Sequence, residues 1–228
     1  MPQPQTSEPR TRNPRGEGSR LRADIVAAAT SLLEEGSAAS VTLRAVARGA
    51  GISAPSIYRH FDSVDAILRA VVDEAFAELE LLLRGQDPDA GEVDPLTHLV
   101  GVCRRYLDFA ARRPQRYRLM FGGAWNAADV PPGNEAELAA RADIGQNAFA
   151  VLVEALQRCI DAGTSASTDA VADAAALWVG LHGRAELRQT TSLFPWPADI
   201  DARLIGTLAH VQVSGEAARV LAGAAEAG

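Results

Sequence analysis

From Arg20 onward, apolar side chains recur at steps of three and four, and no window alternates β-branched residues between turn signals. A 3.6-residue period turns one stripe of a helix inward, whereas a half-buried strand needs a period of two, so the spacing predicts an all-α chain. Leu21, Ile25, Ala28, Ala29, Leu32 and Leu33 form the first stripe, closed by Gly36 as a C-cap. Thr42 is placed to cap a short helix ending near Ala50, and Gly51 stops it. Ser53 opens a second short helix through Phe61, with Pro55 in its first turn, where a missing N–H costs nothing. A long helix follows from Ser63 to about Leu83. Further helices read over 96–110, from Pro114 through Tyr117 and Met120, over 138–160, and from a Thr168 cap to about Thr190. The last starts near Asp199 and carries Leu204, Leu208 and Val211. Residues 85–95, 122–134 and 195–197 read as loops rich in Gly, Pro and Asp.

Residues 1–19 hold Pro, Arg, Gly, Ser and Thr with almost nothing apolar, too little to offset chain entropy, so a disordered arm is expected there. No apolar run stands behind its arginines, and no charge-free stretch reaches the ~18 residues of a membrane span, so a secretory signal and a membrane segment are not expected. Cys103 and Cys159 are too few for a disulfide framework or a zinc cluster. A reduced, cytoplasmic protein is the expectation. The net charge of −7 hides a split. Residues 1–70 carry nine Arg against seven acids, and residues 71–228 carry thirteen Arg against twenty-two acids. A mildly basic N-terminal part attached to an acidic body still allows nucleic-acid binding by one face.

The segment from Thr42 to Phe61 reads TLRAVARGAGISAPSIYRHF. Two short helices joined through Gly51 make a helix-turn-helix, with Val46, Ile52 and Ile57 placed to bury its inner face and Ala47 small where the helices cross. Ser56, Tyr58, Arg59 and His60 leave polar groups on the second helix. Helical pairs with a Gly turn are common; the ordered string A-x-x-x-G-I-S-x-x-S-I-Y-R-H-F is far more specific. Residues 20–70 resemble the DNA-binding domain of the TetR family of transcriptional regulators, most closely over 42–61. The chain length and the count of about nine helices also fit that family, and residues 177–187 look like its penultimate helix. The resemblance implies a three-helix helix-turn-helix DNA-binding domain over 20–62, followed by a helical ligand-binding and dimerisation domain over 63–228. It places Arg44 within reach of a base edge. Ser53, Ala54, Pro55 and Ser56 then face bases, while Thr42, Tyr58 and His60 meet phosphates. These residue types suit such contacts, since Arg forks onto guanine, small residues touch thymine methyls, and hydroxyls meet phosphate oxygens. Val64 departs from the family, which usually has a backbone-gripping Lys at that position. Arg10, Arg12 and Arg15 could replace that grip from the arm.

The body shows no catalytic or metal-binding constellation. His60, His98, His182 and His210 stand isolated, and there is no C-x-x-C and no Gly-rich phosphate loop, so no enzyme activity, metal or cofactor is expected. His182 reads as a hydrogen-bonded core or interface residue and Cys103 as a small core hydrophobe. Ten of the twelve aromatics lie after residue 70. Any single one is ordinary core filling; as a set, on helices the family uses for a pocket, Phe109, Met120, Trp125, Phe149 and Trp178 are the expected lining for a small, mostly apolar effector. Helix 168–190 carries two apolar stripes, one with Val171, Ala174, Ala175, Trp178, Leu181 and His182, the other with Leu177, Gly180 and Arg184. With the last helix it would form the homodimer seam that the resemblance implies, with Gly180 permitting close approach.

A ligand-released repressor on a near-palindromic operator is therefore the leading expectation. An architectural DNA protein without sequence preference would want a basic body, and a helical enzyme would want an acid–base or metal cluster; the residues offer neither.

Overall fold

A computed structural model describes residues 17–85, 93–122, 143–191 and 193–222. Ten α-helices run through them: α1 (Glu17–Glu35), α2 (Leu43–Gly49), α3 (Ala54–Ile57), α4 (Val64–Arg84), α5 (Pro95–Arg112), α6 (Pro114–Phe121), α7 (Gln146–Asp161), α8 (Ala170–Thr190), α9 (Ile200–Leu208) and α10 (Gly215–Ala222). A 3₁₀ turn at Ala38–Ser40 follows α1. Among the described residues there is no strand, only an isolated antiparallel bridge between Ser165 and Val211. No described helix is long and apolar enough to cross a membrane. The chain separates into two compact units, Met1–Leu68 and Arg69–Gly228.

In the first unit, α1 buries Ile25, Val26, Ala29 and Leu33, which are 0–2% exposed, and packs against α2. Gly49 allows that approach, because a Cβ there would stand 3.1 Å from Ala28 Cβ. The helix starts at Glu17, so residues 17–19 belong to it and not to an arm. Residues 1–16, with Arg10, Arg12 and Arg15, lie outside the described residues.

In the second unit, α5 is the central helix, packed against α6, α7, α8 and α10. It is pre-set by Pro95 in its first turn and by Asp94, whose carboxylate accepts from Leu96 N (3.2 Å) and Thr97 N (2.9 Å). The Thr97 bonds, foremost, hold the Asp94 carboxyl below its usual range. Leu99, Val100, Cys103, Leu156, Leu177 and Ile205 are fully buried, each worth roughly 1.5–3 kcal/mol of transfer energy for the larger side chains. Burial pushes the Cys103 thiol up to about 12, so it sits in the core as an inert hydrophobe.

Further sequence expectations differ from the structure. α3 ends at Ile57 instead of running through Phe61, the chain continuing as a turn over Tyr58–His60. α7 starts at Gln146, not near 138; Gly145 is its N-cap at φ +80, a left-handed conformation that ends any helix arriving there. Leu138 and Ala142 lie outside the described residues. Asp169, not Thr168, caps α8, accepting from Val171 N (3.1 Å) and Ala172 N (3.0 Å). α9 stops at Leu208; Val211 lies beyond it, after His210 at φ +54, and pairs with Ser165. α10 was not read from the sequence: a single short turn of apolar residues, Ala217, Val220 and Leu221, is enough because α5 receives it.

Candidate nucleic-acid interface and internal cavity

The helix-turn-helix of the first unit is held by local chemistry. Thr42 sits in extended backbone at the head of α2 and its hydroxyl accepts from Ala45 N (3.2 Å). The turn passes through Gly51 at φ +66, where nothing lies within 4 Å of a Cβ; backbone conformation alone demands glycine. Ile52 N donates to Ala47 O (2.9 Å), which closes the turn onto α2. Val46 and Ile57 are fully buried between the helices. After α3 the chain tightens, with His60 N and Phe61 N both donating to Ile57 O (2.8 and 2.9 Å). The Arg22 guanidinium lies 4.8 Å over the Phe61 ring and ties the end of the motif to α1.

Ser53 takes the N-cap position of α3, but its hydroxyl caps nothing: it is hydrogen-bonded to the Ser56 hydroxyl at 2.8 Å. With Pro55 in the first turn and only four residues in α3, little N–H remains to be capped. Thr42, Arg44, Ser53, Pro55 and Tyr58 are exposed, and Ala54, Ser56 and His60 half-buried. Tyr58 holds 56% of its surface in solvent although it is aromatic. Arg48 and Arg59, which were not counted as site residues from the sequence, are exposed as well. No acidic residue lies between Thr42 and His60, so this stretch presents positive charge without local compensation.

The second unit holds a narrow apolar cavity, with about 20 Å³ of free space at a water-sized radius, between α4, α5, α6, α7 and α8. Phe76, Phe121, Phe149 and Trp178 supply its aromatic wall. They interlock, Phe76 edge-on to Phe121 at 5.5 Å and Phe149 against Trp178 at 5.7 Å between centroids. A polar cleft with Arg69, Asp73, Glu80, Asp143 and Asn147 shares Phe76 and Gly145 with it. Gly145 is needed there: a Cβ would stand 2.7 Å from Phe76 Cε1. A chain of hydrogen bonds runs beside the cavity, from Trp178 Nε1 to Tyr106 Oη (3.2 Å), on to Tyr117 Oη (3.1 Å), and to His182 Nδ1 (2.6 Å). Burial, first of all, raises the pKa of both tyrosines, so each hydroxyl keeps its proton. Among the described residues no group of three or more His, Cys, Asp or Glu is placed to hold a metal.

Two family models match the chain: bacterial regulatory proteins of the tetR family over residues 25–71, and the tetracyclin repressor-like C-terminal domain over residues 99–211. The chain belongs to the TetR family. Similar proteins agree with this. The HTH-type transcriptional regulator Mb1846 of Mycobacterium bovis is 26% identical over 122 residues, 53% of this chain and 52% of that protein. The chain thus spans about half the length of the curated relatives it matches. A protein from Rhodococcus sp. RHA1 superposes with a TM-score of 0.65 at 23% identity, covering 89% of this chain and 94% of that one. A bacterial regulatory protein in the tetR family from Rhodococcus RHA1 superposes with a TM-score of 0.60 at 17% identity, covering 85% and 97%. At such identities the likeness is one of fold.

Of the pocket residues expected from TetR resemblance, Phe149 and Trp178 line the cavity. Phe109 does not: it is 2% exposed within the core, and Val102 and Tyr106, one turn apart on α5, take the cavity side. Met120 packs against the core without lining the cavity, while its neighbour Phe121 does line it. Trp125 lies outside the described residues. Phe76, Tyr106 and Phe121 line the cavity as well; the spacing of Phe76, Leu79 and Leu83 on α4 and of Val102 and Tyr106 on α5 marks a face but not what the face meets.

The stripes of α8 are also assigned differently. Leu177, Leu181 and Ala185 enter the core, and Trp178 turns to the cavity. Gly180 faces α9, where a Cβ would stand 2.6 Å from Leu208 Cδ1, and Arg184 reaches Asp201 Oδ1 at 2.6 Å. Both stripes read from the sequence are therefore consumed within the chain, except Val171, which is 58% exposed. A third stripe is open. Ala172, Ala176, Val179 and Leu187 are exposed along one line, and nothing lies within 4 Å of a Cβ at Gly183.

Proposed function

We propose that this chain is a sequence-specific, DNA-binding transcriptional repressor that acts in the cytoplasm as a homodimer and is released by a small, mostly apolar ligand. The observation that carries the DNA reading is the exposed set Thr42, Arg44, Ser53, Pro55 and Tyr58 on a helix-turn-helix with no acid between residues 42 and 60. The end of α3 that carries Ser53, Ala54, Pro55 and Ser56 enters the major groove. Arg44 forks onto a guanine; Thr42, Tyr58 and His60 meet phosphates. The open stripe on α8 supports dimerisation, since an apolar line of Ala, Gly, Val and Leu facing water marks an association surface and small residues admit a close partner helix. A two-fold dimer sets two recognition helices about one helical turn apart, which calls for a near-palindromic operator. Ligand in the cavity favours the dimer state that fits DNA less well, and a preference of a few kcal/mol suffices for release.

Selection from random duplexes is expected to return an inverted repeat whose binding weakens steeply with salt; recovery of no motif, or retention indifferent to salt, refutes the reading. Arg44→Ala and Tyr58→Phe should then fail differently. Arg44→Ala costs ~1–3 kcal/mol on the selected site and relaxes preference at one base pair per half-site. Tyr58→Phe keeps the ring and removes one phosphate bond, so all duplexes weaken alike. Titrating both variants against the site, a single-base change and unrelated DNA separates the roles; equal losses on all three for Arg44→Ala overturn its base contact.

A further inference from the structure

Arg22 stands on α1, outside the helix-turn-helix, yet its guanidinium lies 4.8 Å over the Phe61 ring at the far end of the motif. Its place follows from the helical period. Arg22 precedes Ile25 and Val26, both fully buried, by three and four positions, so its stem leaves α1 at the edge of the buried face. Phe61 is 4% exposed, so the core fixes the ring, while Arg22 itself is exposed.

The cation is ordered but its hydrogens are unspent. Among the described residues no carboxylate pairs with Arg22 and no acceptor takes its N–H groups. Asp24 and Asp62, close in sequence to Arg22 and to the ring, are exposed and form no ion pair with it. The face of an aromatic ring attracts a guanidinium through its quadrupole and leaves the five N–H donors pointing out along the edges. Holding the stem in this way lowers the entropy cost of a further contact. The neighbourhood is the turn over Tyr58–His60: His60 N and Phe61 N both donate to Ile57 O, so turn and ring form one tight end. Ser53, Ala54 and Pro55 lie at the opposite end of α3. With that opposite end in the major groove, the Phe61 end meets the rim, where sugar-phosphate backbone offers acceptors only. A planar guanidinium fork matches a phosphate.

Resting on the reading of this unit as a DNA-binding motif, we propose that Arg22 is a further DNA-binding residue, a phosphate clamp on α1 that Phe61 holds ready. It grips the backbone and reads no base. Its role is thus separate from that of Arg44, because phosphate contacts set register and affinity without carrying sequence.

The full chain and its Arg22→Met, Arg22→Lys and Arg20→Met variants are titrated against the selected inverted repeat, a single-base change in it and unrelated DNA, each over a series of salt concentrations. Met keeps an unbranched apolar stem on the ring and removes the charge. Each neutralised phosphate of B-DNA adds about 0.9 to the steepness of log K against log salt, so Arg22→Met flattens that slope by about 0.9 for each protomer bound. Affinity falls about 10-fold per protomer, the worth of one hydrogen bond to a charged group. The loss is equal on all three duplexes. Arg22→Lys keeps the charge and the slope. Arg20 is also exposed on α1, but among the described residues no ring lies beneath it, so Arg20→Met flattens the slope much less. Melting curves establish that each variant is folded, and Arg22→Gln replaces Arg22→Met where the latter is not. An unchanged slope for Arg22→Met, with or without lost affinity, makes Arg22 a staple between α1 and the motif and overturns the clamp. Equal flattening by Arg20→Met and Arg22→Met assigns the effect to the charge of α1 as a whole and overturns it too. A loss confined to the selected repeat makes Arg22 a reader of bases, against the proposal. Absence of salt-dependent binding by the unaltered chain overturns the DNA reading and this one with it.

Discussion

Val179→Glu is expected to leave the chain folded and monomeric at micromolar concentration, and to weaken operator binding by about 10²–10⁴-fold, the advantage of two linked half-site contacts over one. Val179 is 71% exposed on α8, so the substitution removes little from the protomer, and surface changes of this kind usually stay within about 0.5 kcal/mol. In a two-fold dimer the same patch meets itself, so one substitution sets two carboxylates near each other as water leaves the seam. Like charges across an interface cost several kcal/mol. Glu is preferred to Arg because it adds no affinity for DNA that would mask the loss. Val171→Glu is the matched control. Val171 is 58% exposed on the same helix but lies off the line of Ala172, Ala176, Val179 and Gly183, so the same charge there should leave the dimer intact. Sedimentation equilibrium of both variants decides. A dimer for Val179→Glu, or equal dissociation of the two, removes the seam from this stripe. Gly180, which the sequence placed on the seam, is a different experiment: a larger side chain there meets Leu204 and Leu208 of the same chain and loosens α9.

Gly145→Val is expected to lower the melting temperature by about 5–15 °C, through roughly 2–4 kcal/mol of backbone strain and overpacking. Two costs add at this residue. Its φ of +80 is a left-handed conformation that a β-branched side chain strongly resists, and the new Cβ would sit 2.7 Å from the Phe76 ring. That ring is packed edge-on against Phe121 at 5.5 Å and cannot retreat without disturbing the cavity wall. Gly163→Val separates the two costs, because Gly163 has a φ of +69 but nothing within 4 Å of a Cβ. Gly145→Val should therefore melt lower than Gly163→Val, and thermal denaturation followed by circular dichroism measures the gap. Equal melting of the pair would mean that the Phe76 ring yields freely and carries no packing constraint.

What is local in this protein was legible before any tertiary structure. The left-handed turn at Gly51, the Thr42 cap and Pro55 in the first turn of α3 each depend on one residue and its nearest neighbours in sequence. The order of residues from Ala47 to Phe61 therefore carried both the motif and the family. Helix positions followed from apolar spacing for the same reason, and failed where one residue changed the backbone, as at Gly145 and His210.

The amino-acid sequence by itself determined an all-α chain with a helix-turn-helix near its N-terminus, because hydrophobic period and turn chemistry are properties of short segments. Tertiary structure alone decided which side of each helix does what. α8 is apolar or small nearly all round, so its sequence offers several equivalent stripes, and only the packing of α5, α7 and α9 leaves the line of Ala172, Ala176, Val179 and Gly183 uncovered. The same holds for the cavity. Tyr106 and Phe109 lie one turn apart on α5 and look alike in sequence, yet one forms the wall and the other the core. Burial is set by which helix arrives opposite, through contacts between residues far apart in the chain, as in the bond from Tyr117 to His182 across 65 positions.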